Sequence, residues 1–442
     1  MPNFDKTYAD HVVHKNQIYS DSAAENNFQQ IVIGSGSQNL RFRDDLHTPY
    51  YANSYFEEFV SLPDRPNSFL VIEPGSKPKL FIQNNKSDYW HSEPEPINEF
   101  IAQQFDVQEF VDTPDIRPNG RTAFIGDNHS LLPSSLVNDF QSDADSVFEY
   151  IDFNRACKTD YEKDCLREAN KQAAAAHLVA KRCFERGCSE YDIHMAYLSA
   201  LRSRDSELPY DNIIALNEHA AVLHHMHLSK AAPEQFRSFL IDAGARCQGY
   251  AADVTRTYVT DNDDSCFSAL INATDSLQQK IVEQIVILEG KKLAYSELHH
   301  LANELIATVL VEFGFVTVSA DEALDRGIVN AFFPHGLGHL LGIQVHDKGG
   351  YMTGVGGRLK SPPENHPHLR MTREIEKDMV FTIEPGIYFV PKLLAQWRDK
   401  QVLNESLIEQ MIPYGGVRIE DNIIVGQAGP ENITRDAFSA VV

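Results

Sequence analysis

Short apolar runs alternate with turn-forming residues along the N-terminal third of the chain. Their period predicts β-strands, and an amphipathic segment at 98–105 predicts a helix. The strands are expected at 28–36, 68–74, 78–83 and 121–127. Strands that alternate with helices are typical of an α/β domain. The run Gly34-Ser-Gly36-Ser lacks the third glycine of a dinucleotide-binding loop, and we interpret it as a turn.

From about residue 160 the pattern becomes helical. Thr159 and Glu162 form a capping box, which predicts a long alanine-rich helix over 160–186. A serine at 189 and an aspartate at 192 predict a second helix that ends near Arg204. Helical apolar spacing returns at 275–292 and 299–314.

Strand patterns occupy the rest of this region, at 212–217, 237–260, 378–390 and 416–425. The Gly- and Pro-rich segment 348–368 is expected to be a loop. We therefore expect two domains: residues 1–160 as an α/β domain and residues 161–442 as an α+β domain with a mostly antiparallel sheet.

The composition is that of a soluble globular protein with an acidic surface. The chain has 442 residues, of which 43% are apolar, and 63 acidic against 39 basic residues give a net charge of −24. Such a surface repels phosphate groups, so nucleic acid and anionic membranes are not expected as partners. The N-terminus is polar, and no stretch reaches the roughly 18 apolar residues of a membrane helix. We expect a cytoplasmic protein whose six cysteines are free thiols.

Two aspartates flank a predicted hairpin at Cys247-Gln248. If Arg246 pairs with Gly249, Asp242 lies directly opposite Asp253 on one face of the sheet. Two carboxylates so close repel each other unless a cation lies between them. This register predicts a metal site; another register would leave both aspartates in water.

Three further segments carry metal-binding side chains. One is the glycine-rich run that begins at His335 and continues through His339 to His346, where glycines make a helix unfavourable. The others are Glu384, in Thr-Ile-Glu-Pro-Gly, and Glu420, which shares a strand face with Arg418. From the residues alone, a chance histidine cluster and a plain Arg–Glu ion pair remain alternatives.

Taken together, these segments resemble the pita-bread metallopeptidases, which include methionine aminopeptidase, aminopeptidase P, prolidase and creatinase. The phrases IDAGARCQGYAADVTRTY, FFPHGLGHLLGIQVHD, FTIEPGIYF and GGVRIEDNI are most similar to the bacterial Xaa-Pro dipeptidase (prolidase) branch, which also contains the organophosphorus acid anhydrolases. The resemblance implies a pita-bread catalytic domain after a smaller creatinase-like α/β domain. It also implies two divalent metal ions, held by Asp242, Asp253, His339, Glu384 and Glu420.

Four carboxylates and one imidazole suit Mn²⁺ best, with Co²⁺ and Zn²⁺ as alternatives. By resemblance, Asp253 and Glu420 bridge the metals, and the metals convert a shared water into the attacking hydroxide. Glu384 then carries the proton of that water towards the leaving nitrogen. Arg418 is expected to orient a ligand carboxylate.

Other residues match the family at positions that face the substrate. His224, His335 and His346 match imidazoles that bind substrate oxygens, whereas His225 and His227 match nothing. Arg370 resembles the arginine that binds the free carboxylate of a dipeptide, with Arg373 as a neighbouring alternative. Tyr210 matches a pocket aromatic, and Asp45 matches a residue that reaches the partner subunit's active site, which implies a homodimer.

The resemblance implies hydrolysis of dipeptides with C-terminal proline, with side activity on P–F and P–O bonds of organophosphorus esters. An aminopeptidase P is the alternative within the family, although the long segment between His346 and Glu384 favours the dipeptidase. A catalytically inactive binding protein is the alternative outside enzymology, and creatinase fits less well because all five ligands are present. The acidic run from Asp261 to Asp264 is not an EF-hand, because Cys266 stands where glycine is needed.

Overall fold

The computed structural model describes residues 4–84, 96–127, 132, 140–141, 145–260, 265–286 and 292–441. The acidic run 261–264 lies outside these residues. The chain forms two compact units, the first comprising Met1–Arg155, Thr159–Asp164 and Gly354–Arg358 and the second comprising Ala156–Lys158, Cys165–Thr353 and Leu359–Val442. None of the described helices combines the length and the apolar character that crossing a bilayer requires.

The first unit is built on a mixed sheet, and its predicted strands are confirmed. The described strands are β1 (Gln30–Gly34), β2 (Phe69–Ile72), β3 (Lys79–Gln83), β4 (Asp106–Phe110), β5 (Thr122–Ile125) and β6 (Phe140–Gln141), in the order β4-β3-β2-β1-β5-β6. The helices are α1 (Phe4–Glu25), α2 (Ser54–Glu57), α3 (Glu99–Ala102) and α4 (Asp145–Arg155). β1 pairs antiparallel with β2 and parallel with β5, as expected of an α/β unit with mixed connections.

Helix α1 was not expected from its polar sequence. Its buried side chains Tyr8, Val12, Lys15 and Tyr19 follow helical spacing, but a lysine interrupts the apolar stripe. Lys15 is 1% exposed and lies 3.1 Å from the carboxylate of Glu162, so an ion pair replaces an apolar contact there. A pattern read only from apolar residues cannot recognise such a helix.

The second unit contains eight of the described α-helices. They are α5 (Asp160–Glu185, whose first residues belong to the first unit), α6 (Glu190–Leu201), α7 (Cys266–Glu283), α8 (Tyr295–Glu312), α9 (Ala320–Asp325), α10 (Pro391–Leu394), α11 (Glu405–Met411) and α12 (Ile433–Val441). The predicted capping box is present, since Thr159 N donates to Glu162 Oε2 over 2.8 Å. Helix α6 ends at Leu201 rather than near Arg204, because the next residue, Arg202, adopts a left-handed conformation.

The strands of the second unit pair antiparallel throughout its described residues, as expected. They are β7 (Ile213–Leu216), β8 (Ser238–Asp242), β9 (Arg246–Cys247), β10 (Tyr250–Ala251), β11 (Thr255–Val259), β12 (Val380–Ile383), β13 (Gly386–Tyr388), β14 (Gly416–Arg418), β15 (Asp421–Gly426) and β16 (Gly429–Asn432). The sheets are β11-β8-β7, β12-β15-β16, β13-β14 and β10-β9. Helices α7 and α8 share one apolar core with β12, which includes Phe267, Leu298 and Phe381.

One expectation about the cysteines is wrong. Cys183, near the end of α5, is joined by a disulfide bond to Cys188, and their Cα atoms are 5.5 Å apart. The other four cysteines form no disulfide bond. Spacing in the sequence could not indicate this pair, because Gly187 turns the chain back on the end of the helix.

Candidate active site

The predicted pairing of Asp242 with Asp253 is wrong by two residues. Asp242, at the end of β8, pairs with Thr255 at the start of β11. A shift of two residues keeps Asp253 on the same side of the ribbon as Asp242, as a diagonal neighbour. The two carboxylates therefore still face one point, although the reasoning that placed them there used the wrong register.

The turn explains the different register. Cys247 pairs with Tyr250, so the two turn residues are Gln248 and Gly249 rather than Cys247 and Gln248. Both turn residues have positive φ, 50° and 86°. A two-residue type I′ turn needs that geometry, and glycine supplies it at the second position.

Tyr210 joins the two aspartates. Its hydroxyl oxygen lies 2.8 Å from Oδ1 of Asp242 and 2.6 Å from Oδ1 of Asp253. Gly244 permits this approach, since a Cβ there would lie 3.0 Å from the Tyr210 ring and 2.1 Å from the carbonyl oxygen of Ala252. One hydroxyl proton can satisfy only one carboxylate, so a repulsion between the two remains.

The glycine-rich histidine run lies beside β12 and, as expected, is not a helix. Thr382 N donates to the carbonyl oxygen of His339 over 2.9 Å, and Glu384 N donates to that of Leu337 over 2.8 Å. Gly338 allows the contact, because a Cβ there would lie 2.3 Å from the carbonyl oxygen of Thr382. This pairing brings His339 next to Glu384.

Asp253, His339 and Glu420 form a buried group whose ligand atoms all lie within 4.8 Å of one another. His339 Nδ1 donates to the carbonyl oxygen of Leu340, which leaves Nε2 directed at the carboxylates. Nε2 lies 3.3 Å from Oδ2 of Asp253 and 3.6 Å from Oε1 of Glu384. Four of the five predicted ligands thus contact or adjoin one cluster, and Asp242 joins it through Tyr210.

Arg418 contacts a ligand carboxylate, but not the one beside it in sequence. Its Nη2 donates to Oδ2 of Asp242 over 2.7 Å, and its Nη1 donates to the hydroxyl of Tyr388 over 2.8 Å. Glu420 instead accepts a hydrogen bond from the hydroxyl of Thr255 over 2.8 Å. The plain Arg418–Glu420 ion pair considered from the sequence is therefore not formed.

The pKa values in the cluster show an excess of negative charge. Burial, reinforced by Asp253, Glu384 and Asp242, raises the pKa of Glu420 well above its usual range. Burial likewise raises the pKa of Glu384 to about 7, and neighbouring carboxylates add to this against His339 and Arg418. Burial also raises the pKa of Asp242, despite Arg418.

The pKa values of Asp253 and His339 shift against the direction in which burial acts. Burial acts to raise the pKa of Asp253, but its contact with His339 outweighs burial and lowers it. Burial acts to lower the pKa of His339, but Asp253 and Glu384 outweigh burial and raise it. Four carboxylates against one imidazole and one arginine leave negative charge that divalent cations would neutralise, so this donor set fits a metal centre.

His335 lies beside the cluster and is held at both ring nitrogens. Nδ1 donates to the carbonyl oxygen of Gly336 over 2.8 Å and lies 3.7 Å from Oε2 of Glu384. Nε2 lies 2.8 Å from the hydroxyl of Tyr388, which also accepts from Arg418. Burial, with Arg418, lowers the pKa of His335 to about 3, so the ring is neutral near pH 7.

His346 lies beside the same cluster. The His346 residue is partly open to solvent, but its ring packs edge-on against that of His339, with centroids 4.4 Å apart. Burial lowers the pKa of His346 to about 3, and His339, Arg370 and His224 act in the same direction. His224 and Arg370 are both exposed.

The two arginines of the HLR-x-x-R segment differ in environment. Arg373 is 2% exposed and donates to Glu376 over 2.7 Å, so it is committed to local structure. Arg370 is exposed, and the segment that carries it packs against Gly336, where a Cβ would lie 2.8 Å from the Cα of Leu369.

Asp45 lies on an exposed loop of the first unit, and its role at a partner's site stays a prediction.

Sequence reasoning missed Tyr388, which links Arg418 to His335. Strand alternation could not connect Tyr388 with Glu384, because β12 ends at Ile383 and Tyr388 belongs to the separate strand β13. Sequence reasoning also missed Glu190, His219 and His225, whose ligand atoms lie within 4.8 Å of one another. No regular spacing connects these three residues, so only the fold could reveal them.

Comparison with known proteins agrees with a metal-dependent peptidase. A model of metallopeptidase family M24 matches residues 164–427, and a model of the Xaa-Pro dipeptidase N-terminal domain matches residues 6–153. The chain therefore belongs to metallopeptidase family M24.

Relatives in this family match over the whole chain. A protein named Xaa-Pro dipeptidase from Pseudoalteromonas haloplanktis is 40% identical, with 97% of this chain and 98% of that protein covered. One of the same name from Xanthomonas axonopodis pv. citri is 40% identical, with 100% and 99% covered.

Solved structures share the fold at lower identity. The Pseudomonas aeruginosa aminopeptidase PepP superposes with a TM-score of 0.73 at 22% identity, covering 97% of this chain and 98% of that one. Aminopeptidase P from E. coli gives 0.71 at 20% identity, with 98% of both chains covered. The chain thus has the pita-bread fold expected from its motifs.

Proposed function

We propose that this chain is an Xaa-Pro dipeptidase, which hydrolyses dipeptides with C-terminal proline at a centre of two divalent metal ions. The observation that carries this proposal is the buried group of Asp253, His339 and Glu420, joined by Asp242 and Glu384. Full-length relatives with the name Xaa-Pro dipeptidase support the substrate class.

The five donors Asp242, Asp253, His339, Glu384 and Glu420 would hold the ions. Their four carboxylates balance the charge of two divalent cations, and oxygen-rich sites suit Mn²⁺ better than a thiolate-seeking ion. When bound, such ions lower the pKa of a water molecule and polarise the scissile carbonyl group. Co²⁺ and Zn²⁺ remain alternatives to Mn²⁺.

Glu384 is the group that we assign to proton transfer. Its carboxylate adjoins His339 on one side and His335 on the other, at 3.6 and 3.7 Å. It would accept the proton of the attacking water and deliver it to the proline nitrogen as the peptide bond breaks. Thr382 keeps it in place, since its hydroxyl lies 3.4 Å from Oε1 of Glu384.

The histidines His224, His335 and His346 would bind the substrate through hydrogen bonds. His346 packs against His339 and is partly exposed, and His224 is exposed, so both are free to bind the carbonyl and carboxylate oxygens of a dipeptide. His335 is fixed by Tyr388 and Arg418, and a substrate oxygen would replace Gly336 as the acceptor of its Nδ1 proton. Such donors stabilise the negative charge that develops on the carbonyl oxygen.

Arg370 would select dipeptides. A dipeptide ends in a free carboxylate next to the scissile bond, and a guanidinium binds a carboxylate with two parallel hydrogen bonds. Arg370 is exposed and its segment packs against Gly336, next to His335, whereas Arg373 is already paired with Glu376. We therefore retain Arg370 rather than Arg373 for this role, and Tyr210 for the pocket wall and the aspartate contacts.

An aminopeptidase P is the second candidate, because the solved structures cited above belong to that type. Their identity of about 20% speaks only for the shared fold. Faster cleavage of the tripeptide Ala-Pro-Ala than of the dipeptide Ala-Pro would favour this candidate. A catalytically inactive binding protein is disfavoured, because all five donors are retained and four contact or adjoin one buried group.

Hydrolysis of organophosphorus esters is the further activity that we propose. A tetrahedral phosphorus centre resembles the tetrahedral state of peptide hydrolysis, so attack by water with loss of fluoride can use the same donors. The measurement is fluoride release from a fluorophosphate ester in the presence of Mn²⁺. The absence of release by an enzyme that cleaves Xaa-Pro dipeptides would exclude it.

We also propose that the protein is a homodimer. Each chain would have an N-terminal domain of residues 1–160 and a catalytic domain of residues 161–442. The Asp45 loop carries exposed apolar side chains, among them Leu40, Leu46 and Phe42, which is 94% exposed. Exposed apolar clusters of this kind mark association surfaces. A monomer in light scattering would contradict the dimer, and the cytoplasmic location stays a prediction.

The test of the proposed function is a peptidase assay with Gly-Pro and Leu-Pro as substrates. We expect both to be cleaved by the Mn²⁺-loaded protein, to resist cleavage after chelation, and to be cleaved again when Mn²⁺ returns. Gly-Leu serves as the control substrate and should remain intact. A folded, metal-loaded protein that cleaves no Xaa-Pro peptide would contradict the proposal.

A further inference from the structure

A second cluster of metal-ligating side chains lies in the second unit. Glu190 begins α6, His219 lies in the single-turn helix Asn217–Ala221, and His225 follows in the loop towards β8. One carboxylate oxygen and one ring nitrogen from each imidazole lie within 4.8 Å of one another. None of these residues contacts the five donors described above through any hydrogen bond or ion pair found among the described residues.

Glu190 is held in a fixed orientation by main-chain amides. Its Oε1 accepts from Leu216 N over 2.9 Å, and its Oε2 accepts from Ser229 N over 2.8 Å. The side chain is 1% exposed. Carboxylates that bind metals are typically oriented in this way by hydrogen bonds from behind, which leave their remaining lone pairs directed at the ion.

The remaining lone pairs of Glu190 face two imidazoles. Oε1 lies 2.7 Å from His219 Nδ1, and Oε2 lies 3.1 Å from His225 Nε2. The two rings stack with centroids 4.5 Å apart and planes inclined by 27°. A neutral imidazole carries one proton on two nitrogens, so moving that proton to the outer nitrogen frees a lone pair towards the carboxylate.

Access and donor type define the ligand. The His219 side chain is 40% exposed, whereas that of His225 is 9% exposed, so an ion and its water ligands can enter from the His219 side. Two imidazoles with one carboxylate form a donor set that suits Zn²⁺, with an open position for water. The geometry points to a third divalent-metal site at Glu190, His219 and His225, selective for a Zn²⁺-type cation and separate from the carboxylate-rich centre.

An ion at this site would fix the segment between β7 and β8. Leu216 ends β7 and Ser229 lies within that segment, and both donate to Glu190 through their amides. The segment also carries His224, which precedes a ligand of the new site. The consequence that zinc would steady His224 at the active site rests on the proposed function; the zinc site itself does not.

Zinc content of the full-length protein tests the inference. Wild type and His219→Ala are saturated with Zn²⁺, passed through a desalting column and measured by elemental analysis. We expect wild type to retain one more Zn²⁺ per chain than His219→Ala, because zinc in the carboxylate-rich centre is common to both. His227→Ala is the matched control, since His227 is exposed two residues from His225, and it should equal wild type.

A second variant guards against a folding defect. Glu190→Gln keeps the size of the side chain and one acceptor oxygen, and it should also lose one Zn²⁺ per chain while circular dichroism stays that of wild type. Equal zinc content in wild type and both variants would overturn the inference. A fall in melting temperature of the variants without a change in zinc content would likewise overturn it, because the cluster would then be a hydrogen-bond network only.

Peptidase activity is recorded separately in the same samples. Loss of one Zn²⁺ in the variants of a protein that cleaves no Xaa-Pro peptide would reject the proposed function and keep the zinc site. Equal zinc content in an active dipeptidase would reject the zinc site and keep the function.

Discussion

The two clusters of the second unit use the same residue types in opposite proportions. The candidate active site sets four carboxylates against one imidazole, whereas the second cluster sets one carboxylate against two. Burial and like charges raise the pKa of Glu420 well above its usual range. Burial acts in the same direction on Glu190, but hydrogen bonds from His225, Leu216, Ser229 and His219 outweigh it and lower the pKa to about 2.

The contrast shows that residues of metal-ligand type can lie close together either with an excess of negative charge or with that charge already satisfied by hydrogen bonds. A surplus of buried carboxylates is unstable without cations, so the first cluster needs its metal ions. A single carboxylate with four donors is already satisfied, so metal binding at the second cluster exchanges two N–H···O contacts for coordination bonds. The donor proportions also predict different ions: Mn²⁺ for the oxygen-rich cluster and Zn²⁺ for the imidazole-rich one.

The largest effect is expected from Glu384→Gln in the oxygen-rich cluster. The amide keeps the shape but cannot accept the proton of the attacking water, so kcat for Gly-Pro should fall by about 10²–10⁴-fold. The measurement is steady-state hydrolysis with saturating Mn²⁺. Glu283→Gln is the control, because Glu283 is exposed at the end of α7, and it should match wild type. Full activity of Glu384→Gln would remove Glu384 from the chemistry.

Tyr210→Phe should affect metal binding at the oxygen-rich cluster and leave the imidazole-rich cluster unchanged. Loss of the hydroxyl that lies between Asp242 and Asp253 should weaken Mn²⁺ binding by about 10- to 100-fold, the usual effect of removing a partner of metal ligands. Isothermal titration with Mn²⁺ measures this, and zinc content at the imidazole-rich cluster should not change. Tyr51→Phe, which alters an exposed tyrosine, is the control. Unchanged Mn²⁺ affinity in Tyr210→Phe would contradict the assignment.

Arg370→Ala tests whether Arg370, near the oxygen-rich cluster, binds the carboxylate of the substrate. Hydrogen bonds to a charged group contribute about 1.5–3 kcal/mol, so KM for Gly-Pro should rise by roughly tenfold or more while kcat changes little. Melting temperature should stay that of wild type because Arg370 is exposed. Arg373→Ala should instead lower the melting temperature, since Arg373 is buried. An unchanged KM in Arg370→Ala would leave the dipeptide carboxylate without its proposed partner.

The smallest expected effect concerns Glu190 and pH. Its pKa falls from 4.5 to about 2 on folding, so the ionised form stabilises the folded state above pH 4.5, and this stabilisation is lost as pH falls through about 2. Wild type should exceed Glu190→Gln in free energy of unfolding by on the order of 2–3 kcal/mol at pH 7 and by less at pH 3. Urea unfolding at both pH values measures this, with Glu218→Gln as the exposed control. A difference that is constant or grows towards pH 3 would contradict the four-donor account.

Much of the fold and of the site could be predicted from the chain. Strands such as Phe69–Ile72 and Val380–Ile383 follow directly from their apolar runs. The five metal donors were predicted from motif resemblance. The predicted register of the hairpin was wrong, because Gln248 and Gly249 form its turn. Pattern alone does not fix a register when either of two adjacent positions can begin a turn.

What could not be predicted depends on contacts between distant segments. Helix α1 could not be predicted, because Lys15 interrupts its buried face and the acidic partner of Lys15, Glu162, is distant in sequence. Tyr388 and the Glu190 cluster are likewise defined by partners that only folding brings near. Histidines 219 and 225 match no motif, so the sequence offered no reason to connect them with Glu190.

The most direct test of the central claim is the Mn²⁺ content of wild type and Asp253→Asn, measured by native mass spectrometry after equilibration with Mn²⁺. Asp253 adjoins His339 and shares Tyr210 with Asp242, so its carboxylate belongs to both halves of the proposed centre. We expect two Mn²⁺ per chain in wild type, and one or none in Asp253→Asn together with the loss of Gly-Pro hydrolysis. An unchanged pair of Mn²⁺ ions and full activity in Asp253→Asn would contradict the account.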